Sequence, residues 1–277
     1  VSINSYFTKT TSSIGFFGNN KESKEYGSAG SGVIIGGDKE QGEAYIITNY
    51  HVVYDADADV KISNKIFVYL YGQELDKYKI SATYIGGSMS YDIAVLKIQS
   101  DVYKESNAHA ATIGKSGDMT VGDSVIALGN PNAGGIAVTQ GILSMESEYI
   151  TMTAADNVST VQIRVMRVDA AINGGNSGGG LFNDSGELIG IVNAKVVSEK
   201  IEGMAYAIPV DFAYPAAQNI LKNCDGNTNT QILRSFMGIS VHVTDSATEI
   251  ADDGTVRIVN TVSVASVEAN SPAAKAG

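Results

Sequence analysis

Residues 174–181 read Gly-Gly-Asn-Ser-Gly-Gly-Gly-Leu, with Ser177 inside the glycine run. Glycine weakens any helix or strand it occupies, so this stretch is not a regular element. It opens the backbone to close approach, and exposed N–H groups beside a hydroxyl suit stabilisation of a developing oxyanion. A glycine-serine loop is equally a plain flexible connection, so the reading depends on what lies upstream. Residues 44–53 form an apolar, strand-like run, Ala-Tyr-Ile-Ile-Thr-Asn-Tyr-His-Val-Val, that carries His51. Residues 91–98 form a second, Tyr-Asp-Ile-Ala-Val-Leu-Lys-Ile, near whose start stands Asp92.

The chain has 3 histidines, His51, His109 and His242, and only His51 is framed on both sides by strand formers. The order His51, Asp92, Ser177 matches one known linear order of a Ser-His-Asp triad. A serine hydroxyl needs an adjacent base, which an imidazole supplies, and a carboxylate orients that imidazole. Asp55, Asp57, Asp59 and Asp101 are rival carboxylates, but Asp92 alone opens an Ile-Ala-Val-Leu run.

At these residues the sequence resembles the HtrA family of chymotrypsin-fold serine proteases. The matching segments are Gly30-Ser31-Gly32-Val33-Ile34-Ile35, Thr48-Asn49-Tyr50-His51-Val52-Val53, Asp92-Ile93-Ala94-Val95-Leu96-Lys97 and Gly129-Asn130-Pro131. They continue with Val138-Thr139-Gln140-Gly141-Ile142, Asp169-Ala170-Ala171-Ile172-Asn173, Gly175-Asn176-Ser177-Gly178-Gly179 and Ala205-Tyr206-Ala207-Ile208-Pro209. They fall in family order over residues 25–215. The resemblance implies a catalytic triad of His51, Asp92 and Ser177, with the N–H groups of Gly175 and Ser177 as the oxyanion hole. It puts the base of the specificity pocket at Ala171, with Ile172, Gly203, Met204 and Ala205 as further walls. A pocket with no acid at its base implies cleavage after small or medium aliphatic residues. Around the serine the family usually carries proline where this chain has Gly174 and Gly180, so the rigidity of the oxyanion loop differs.

The expected fold is all-β: two antiparallel six-stranded Greek-key barrels, a C-terminal helix, and a partial PDZ segment. Composition agrees, with 44% hydrophobic residues, 30 glycines and 14 tyrosines. The reading divides the chain into an N-terminal segment over 1–29, polar and irregular, and a protease domain over 30–222. Barrel one covers about 30–105, barrel two about 120–210, and the helix 210–222. Strand-like runs in barrel one lie at 32–36, 44–49, 59–62, 66–71, 78–85 and 92–98. In the helix, Ala213, Ala216, Ala217, Ile220 and Leu221 share one face. A linker follows at 223–234, then an incomplete PDZ segment at 235–277. That segment is expected to lack the second helix against which an added peptide strand lies.

The net charge of −11 argues against nucleic acid and anionic membrane surfaces as partners. With a single cysteine, Cys224, neither an intramolecular disulfide nor a two-cysteine metal site is available. No cofactor or metal is expected. The chain begins at Val1 without a signal peptide or an apolar run of about 18 residues. It is therefore expected to be a fragment. The resemblance implies an extracytoplasmic protease of protein quality control and stress response, independent of ATP, acting on unfolded or misfolded protein. Relatives are often trimeric and tethered by one N-terminal membrane helix. Tyr6, Phe7, Phe16 and Phe17 are either trimer contacts or ordinary packing on barrel one. The alternative function is a chaperone-like or regulatory binder that keeps the protease fold.

Overall fold

The computed structural model describes residues 1–15, 18–131, 134–196, 204–224, 226, 229–233, 236–250 and 256–276. It divides into two units, Val1–Ile232 and Leu233–Gly277.

The first unit opens with a long hairpin of β1 (Ser2–Gly15) and β2 (Gly18–Ser31), followed by β3 (Val33–Gly36) and β4 (Glu43–Thr48). A single helical turn, α1 (Tyr50–Val53), leads to β5 (Lys65–Tyr69), β6 (Ile80–Ser88) and β7 (Ile93–Gln99). These form one seven-stranded antiparallel sheet in the order β2-β1-β5-β6-β7-β4-β3. Its edge strands, β2 and β3, are consecutive in the chain and separated only by Gly32, so the sheet wraps round on itself. After the short helix α2 (Asp101–Glu105), the second body is a closed six-stranded barrel. Its strands are β8 (Ser124–Gly129), β9 (Ala137–Thr153), β10 (Thr160–Val168), β11 (Gly180–Phe182), β12 (Leu188–Asn193) and β13 (Ala205–Pro209). Helix α3 (Val210–Lys222) closes the unit.

The apolar run of β7 has a direct cause. Its alternate residues Ala94, Leu96 and Ile98 pack inside the first sheet with Ile46 and Val68. Ile93 and Val95 face the other way, into a cluster with Ile191 and Ile208 of the second barrel and Ala213, Ala217 and Ile220 of α3. A strand covered on both faces reads as continuously hydrophobic. Each such Ile or Leu contributes roughly 1.5–3 kcal/mol by burial. This shared cluster fixes the two barrels against each other, and the site lies where loops from both meet.

Residues 1–29 are not irregular. β1 and β2 pair from Ser2↔Ser31 to Gly15↔Gly18, but β1 pairs with β5 only over Ser2–Tyr6. Past the buried Phe7, the residues Thr8, Lys9, Thr11 and Ser12 of β1 and residues 21–25 of β2 are exposed. The hairpin there therefore needs no apolar alternation, only strand formers such as Thr8, Thr10 and Thr11. The expected strand at 59–62 is absent; there the chain bends, with one isolated bridge between Tyr54 and Ile62. In the second barrel, residues 137–153 form one long strand, β9. Phe16, Phe17 and Gly203 lie outside the described residues. Among the others, Phe7 is buried and stacks on Tyr26, and Tyr6 meets Phe67 edge-on.

The second unit is a hairpin of β14 (Ile239–Ile250) and β15 (Val256–Val267) followed by α4 (Pro272–Ala276). Among the described residues no helix is long and apolar enough to cross a membrane. No group of three or more His, Cys, Asp or Glu among them is arranged to hold a metal ion.

Candidate active site

His51 is the second residue of α1, the turn that ends β4. Val52 and Val53, both buried, anchor that turn. Asp92 stands one residue before β7 with φ +50°, in the left-handed region that Asp tolerates better than most residues. Its conformation is held by Asn49, whose Nδ2 donates to the Asp92 carbonyl at 2.9 Å. The carboxylate is 3% exposed and accepts three hydrogen bonds. The His51 backbone N–H donates to Oδ1 at 3.0 Å, His51 Nδ1 lies 2.7 Å from Oδ2, and Asn193 Nδ2 donates to Oδ2 at 2.9 Å. With an ionised carboxylate at Nδ1, that nitrogen carries the ring proton and Nε2 keeps its lone pair.

Ser177 sits in a backbone-shaped loop. Asn176 N–H donates to Asn173 O at 3.0 Å and Gly179 N–H to Asn176 O at 2.9 Å. Gly175 has φ +92° and Gly178 φ +83°. At Gly178 a Cβ would also lie 2.2 Å from Ser31 O and 2.2 Å from Thr48 Oγ1, so only glycine fits. Ser177 is 5% exposed; its carbonyl accepts from Ser31 N–H at 2.8 Å and its hydroxyl from Ala194 N–H at 3.1 Å. Among the described residues, neither the Gly175 nor the Ser177 N–H donates to any protein group, and Ser177 Oγ makes no hydrogen bond to His51.

A cleft of about 450 Å³ is lined by His51, Gly174, Gly175, Ala194, Lys195 and Asp55, among others. Lys195 Nζ donates to Ala154 O at 2.8 Å. Burial pushes the Lys195 ammonium below its ordinary pKa, and the nearby carboxylates of Asp92 and Asp156 push it partly back. His109 lines a separate apolar hollow of about 630 Å³, and His242 is exposed on β14 in the second unit.

Four of the residues expected to wall the specificity pocket lie among the described residues. Ala171 is exposed, and its carbonyl accepts from Thr139 Oγ1 at 3.0 Å. Ile172 and Ala205 are buried in the second barrel's core with Val168 and Ala170. Met204 packs beside Ile163, Val165 and Tyr206. None of these four lines the cleft beside His51. Asp169 accepts from Ile142 N–H at 2.6 Å, a structural use of its carboxylate.

Asn193, Ala194, Lys195 and Ser31 were missed as site residues. One signal was available for the first. Asn193 ends β12, whose other residues are apolar or glycine, and a fully buried amide in such a place needs a polar partner.

Residues 30–191 match the family model of a trypsin-like peptidase domain. The serine protease Do-like HtrA of Bacillus subtilis is 35% identical over 92% of this chain and 53% of its own length. Its namesake in Lactococcus lactis subsp. cremoris is 37% identical over 90% of this chain and 58% of its own. The chain thus spans little more than half the length of these curated relatives. A solved HtrA-type protease, AlgW with a decapeptide, superposes with a TM-score of 0.64 at 30% identity, covering 100% of this chain and 78% of that one. With its wrapped sheet, closed barrel and these relatives, the chain belongs to the HtrA family of trypsin-like serine proteases.

Proposed function

We propose that this chain is a serine endopeptidase that hydrolyses unfolded or damaged protein, without ATP, through an acyl-enzyme on Ser177. His51 Nε2 takes the hydroxyl proton as Ser177 Oγ attacks the carbonyl carbon, then returns it to the leaving amine. Asp92 fixes the ring and stabilises the imidazolium, and the N–H groups of Gly175 and Ser177 bind the oxyanion. A pair of such donors is worth several kcal/mol, since loss of one costs about 2.7–4 kcal/mol. The observation that most supports this reading is the Asp92 carboxylate, bonded to both His51 N–H and Nδ1. Ser177 Oγ reaches Nε2 by rotation about its Cα–Cβ bond away from Ala194, since such contacts tighten on substrate binding.

Cleavage follows small or medium aliphatic residues, because no acid stands at Ala171 to pair a cationic side chain. The protein acts outside the cytoplasm, as the names of relatives such as the DegP-like periplasmic endoprotease of Hahella chejuensis suggest. It assembles as a trimer, and residues 235–277 form the opening of a PDZ domain.

A fluorophosphonate probe tests the reading. Labelling of the wild-type chain, lost in Ser177→Ala and accompanied by casein degradation, is expected. A fold-retaining wild type that never labels supports the second reading, a binder with the protease fold. That reading is favoured by the Ser177 hydroxyl lying on Ala194 instead of His51. A peptide library cut mainly after Lys or Arg would overturn the pocket assignment alone.

A further inference from the structure

Ser31, the last residue of β2, is 1% exposed, and both its main-chain and side-chain groups are hydrogen-bonded. Its N–H donates to the Ser177 carbonyl at 2.8 Å, and its hydroxyl donates to the Gly175 carbonyl at 2.8 Å. The same hydroxyl accepts from Asn130 N–H at 2.8 Å, while the Ser31 carbonyl accepts from Thr48 Oγ1 at 2.7 Å. One residue of the first barrel thus grips the loop of the second on either side of Asn176.

The consequence is conformational. A carbonyl and the next residue's N–H share one rigid plane. Fixing the Gly175 carbonyl fixes the plane between residues 175 and 176, and the Gly175 N–H is separated from that plane only by rotations at Gly175 itself. Glycine leaves those rotations soft, and Gly174 adds no restraint of its own. Without the hydroxyl bond that plane would be held from one side only, by Asn176 N–H on Asn173 O at 3.0 Å. With it, the Gly175 and Ser177 carbonyls are both held, and among the described residues neither of the two N–H groups donates to a protein group. Packing closes the other side: at Gly129, beside Asn130, a Cβ would lie 2.5 Å from Asn176 Oδ1.

We propose that Ser31 is a positioning residue of the oxyanion hole, its hydroxyl holding the Gly175 carbonyl so that the N–H groups of Gly175 and Ser177 remain free for substrate. This rests on the reading of Ser177 as nucleophile. Only a group that both donates and accepts satisfies the site, since a hydroxyl bonds Gly175 O and Asn130 N–H together. Ser31→Ala leaves both of these unpartnered.

The test uses the full chain with a chromogenic peptide, a fluorophosphonate and a peptide boronate, whose tetrahedral adduct needs the oxyanion donors. Ser31→Ala is expected to lower kcat by about 10–100-fold with KM within about twofold, as for an interaction made in the transition state. Phosphonylation rate and boronate affinity fall with kcat. Thr48→Ala removes a hydroxyl bond to the same residue but leaves the Gly175 bond, and it keeps kcat within about threefold. If Ser31→Ala does not fold, Ser31→Cys keeps the size with a weaker donor and shows the same pattern at smaller amplitude. Equal kcat in Ser31→Ala and wild type overturns the inference, as does a loss matched by Thr48→Ala at equal melting temperature. A wild type inert to the fluorophosphonate instead brings down the nucleophile reading.

Discussion

His51 and Asp92 are locked to each other by side-chain atoms, whereas Ser177 is held through backbone groups and glycine conformations. Asp92 gathers its three donors from α1 and from the end of β12, and Asn49 braces its main chain. The serine loop has two residues at positive φ, Gly175 and Gly178, and leaves two N–H groups without protein partners among the described residues. The difference follows from what the proposed function asks of each half. An imidazole needs a fixed direction, so a buried carboxylate is fully bonded around it. An oxyanion hole needs donors that nothing in the free protein uses, so the loop is shaped by torsions and by bonds to its carbonyls. The first half is therefore sensitive to a change of atom type, and the second to a single added methyl.

The largest effect is expected from Asp92→Asn. The amide would present an N–H to His51 Nδ1 and force the proton onto Nε2, the nitrogen that must accept from Ser177. Turnover should fall about 10⁴-fold with the fold intact. Peptide hydrolysis alongside circular dichroism measures this; a loss under tenfold would mean that Asp92 does not set the tautomer.

Gly178→Ala attacks the other half. The new Cβ would meet Ser31 O and Thr48 Oγ1 at 2.2 Å, at a φ that L-residues avoid. A destabilisation of about 2–4 kcal/mol is expected from strain and overpacking together. Denaturant unfolding measures it. A variant as stable as wild type would show that the loop is not clamped between the barrels.

Legibility divides along the same line. His51 and Asp92 stood out because each borders or ends an apolar run where a polar residue is costly, and Ser177 because it lies inside a glycine run. Helix α3 was legible from the spacing of Ala213, Ala216, Ala217, Ile220 and Leu221, of which all but Leu221 are buried. The N-terminal hairpin was not legible, because its buried residues past Phe7 are too few to set a hydrophobic period: Thr8, Lys9, Thr11, Ser12 and residues 21–25 are exposed. Ser31 and Ala194 were not legible as site residues either. Ser31 acts through a small hydroxyl from the first barrel onto a loop of the second, and Ala194 through its N–H on a residue 17 positions away, and no one-dimensional pattern records that proximity. Ile172 and Ala205 share one core cluster of the second barrel, and neither lines the cleft beside His51.

Asn193→Ala should have a moderate effect. It removes one of the three donors to Asp92 and leaves both His51 bonds in place. A hydrogen bond to a charged group is worth about 1.5–3 kcal/mol, so kcat should fall roughly tenfold or more and stability by a similar free energy. Comparison of kcat with melting temperature separates the two. A stability loss without any change in kcat would assign Asn193 to the core and not to the triad.

The smallest effect comes from the glycines that replace the family's prolines, and the structure separates the two positions. A Cβ at Gly174 would meet nothing within 4 Å, while at Gly180 it would lie 2.4 Å from the Phe182 ring. Gly174 has no positive φ, and among the described residues its N–H donates to no group, so proline loses nothing there. Gly174→Pro should narrow the unfolded and misplaced conformations of the loop by about 0.4–1 kcal/mol, or roughly two- to fivefold in the population of the active form. Basal turnover should rise by that factor, with the rate at saturating unfolded substrate nearly unchanged. Gly180→Pro instead drives a ring against Phe182 and should lower stability by about 1–3 kcal/mol. If Gly174→Pro folds normally and basal turnover stays level, the loop is already held in its working form without proline. The Ser31 bond to the Gly175 carbonyl would then account for its rigidity, and Ser31→Ala should become more damaging than Gly174→Pro is helpful.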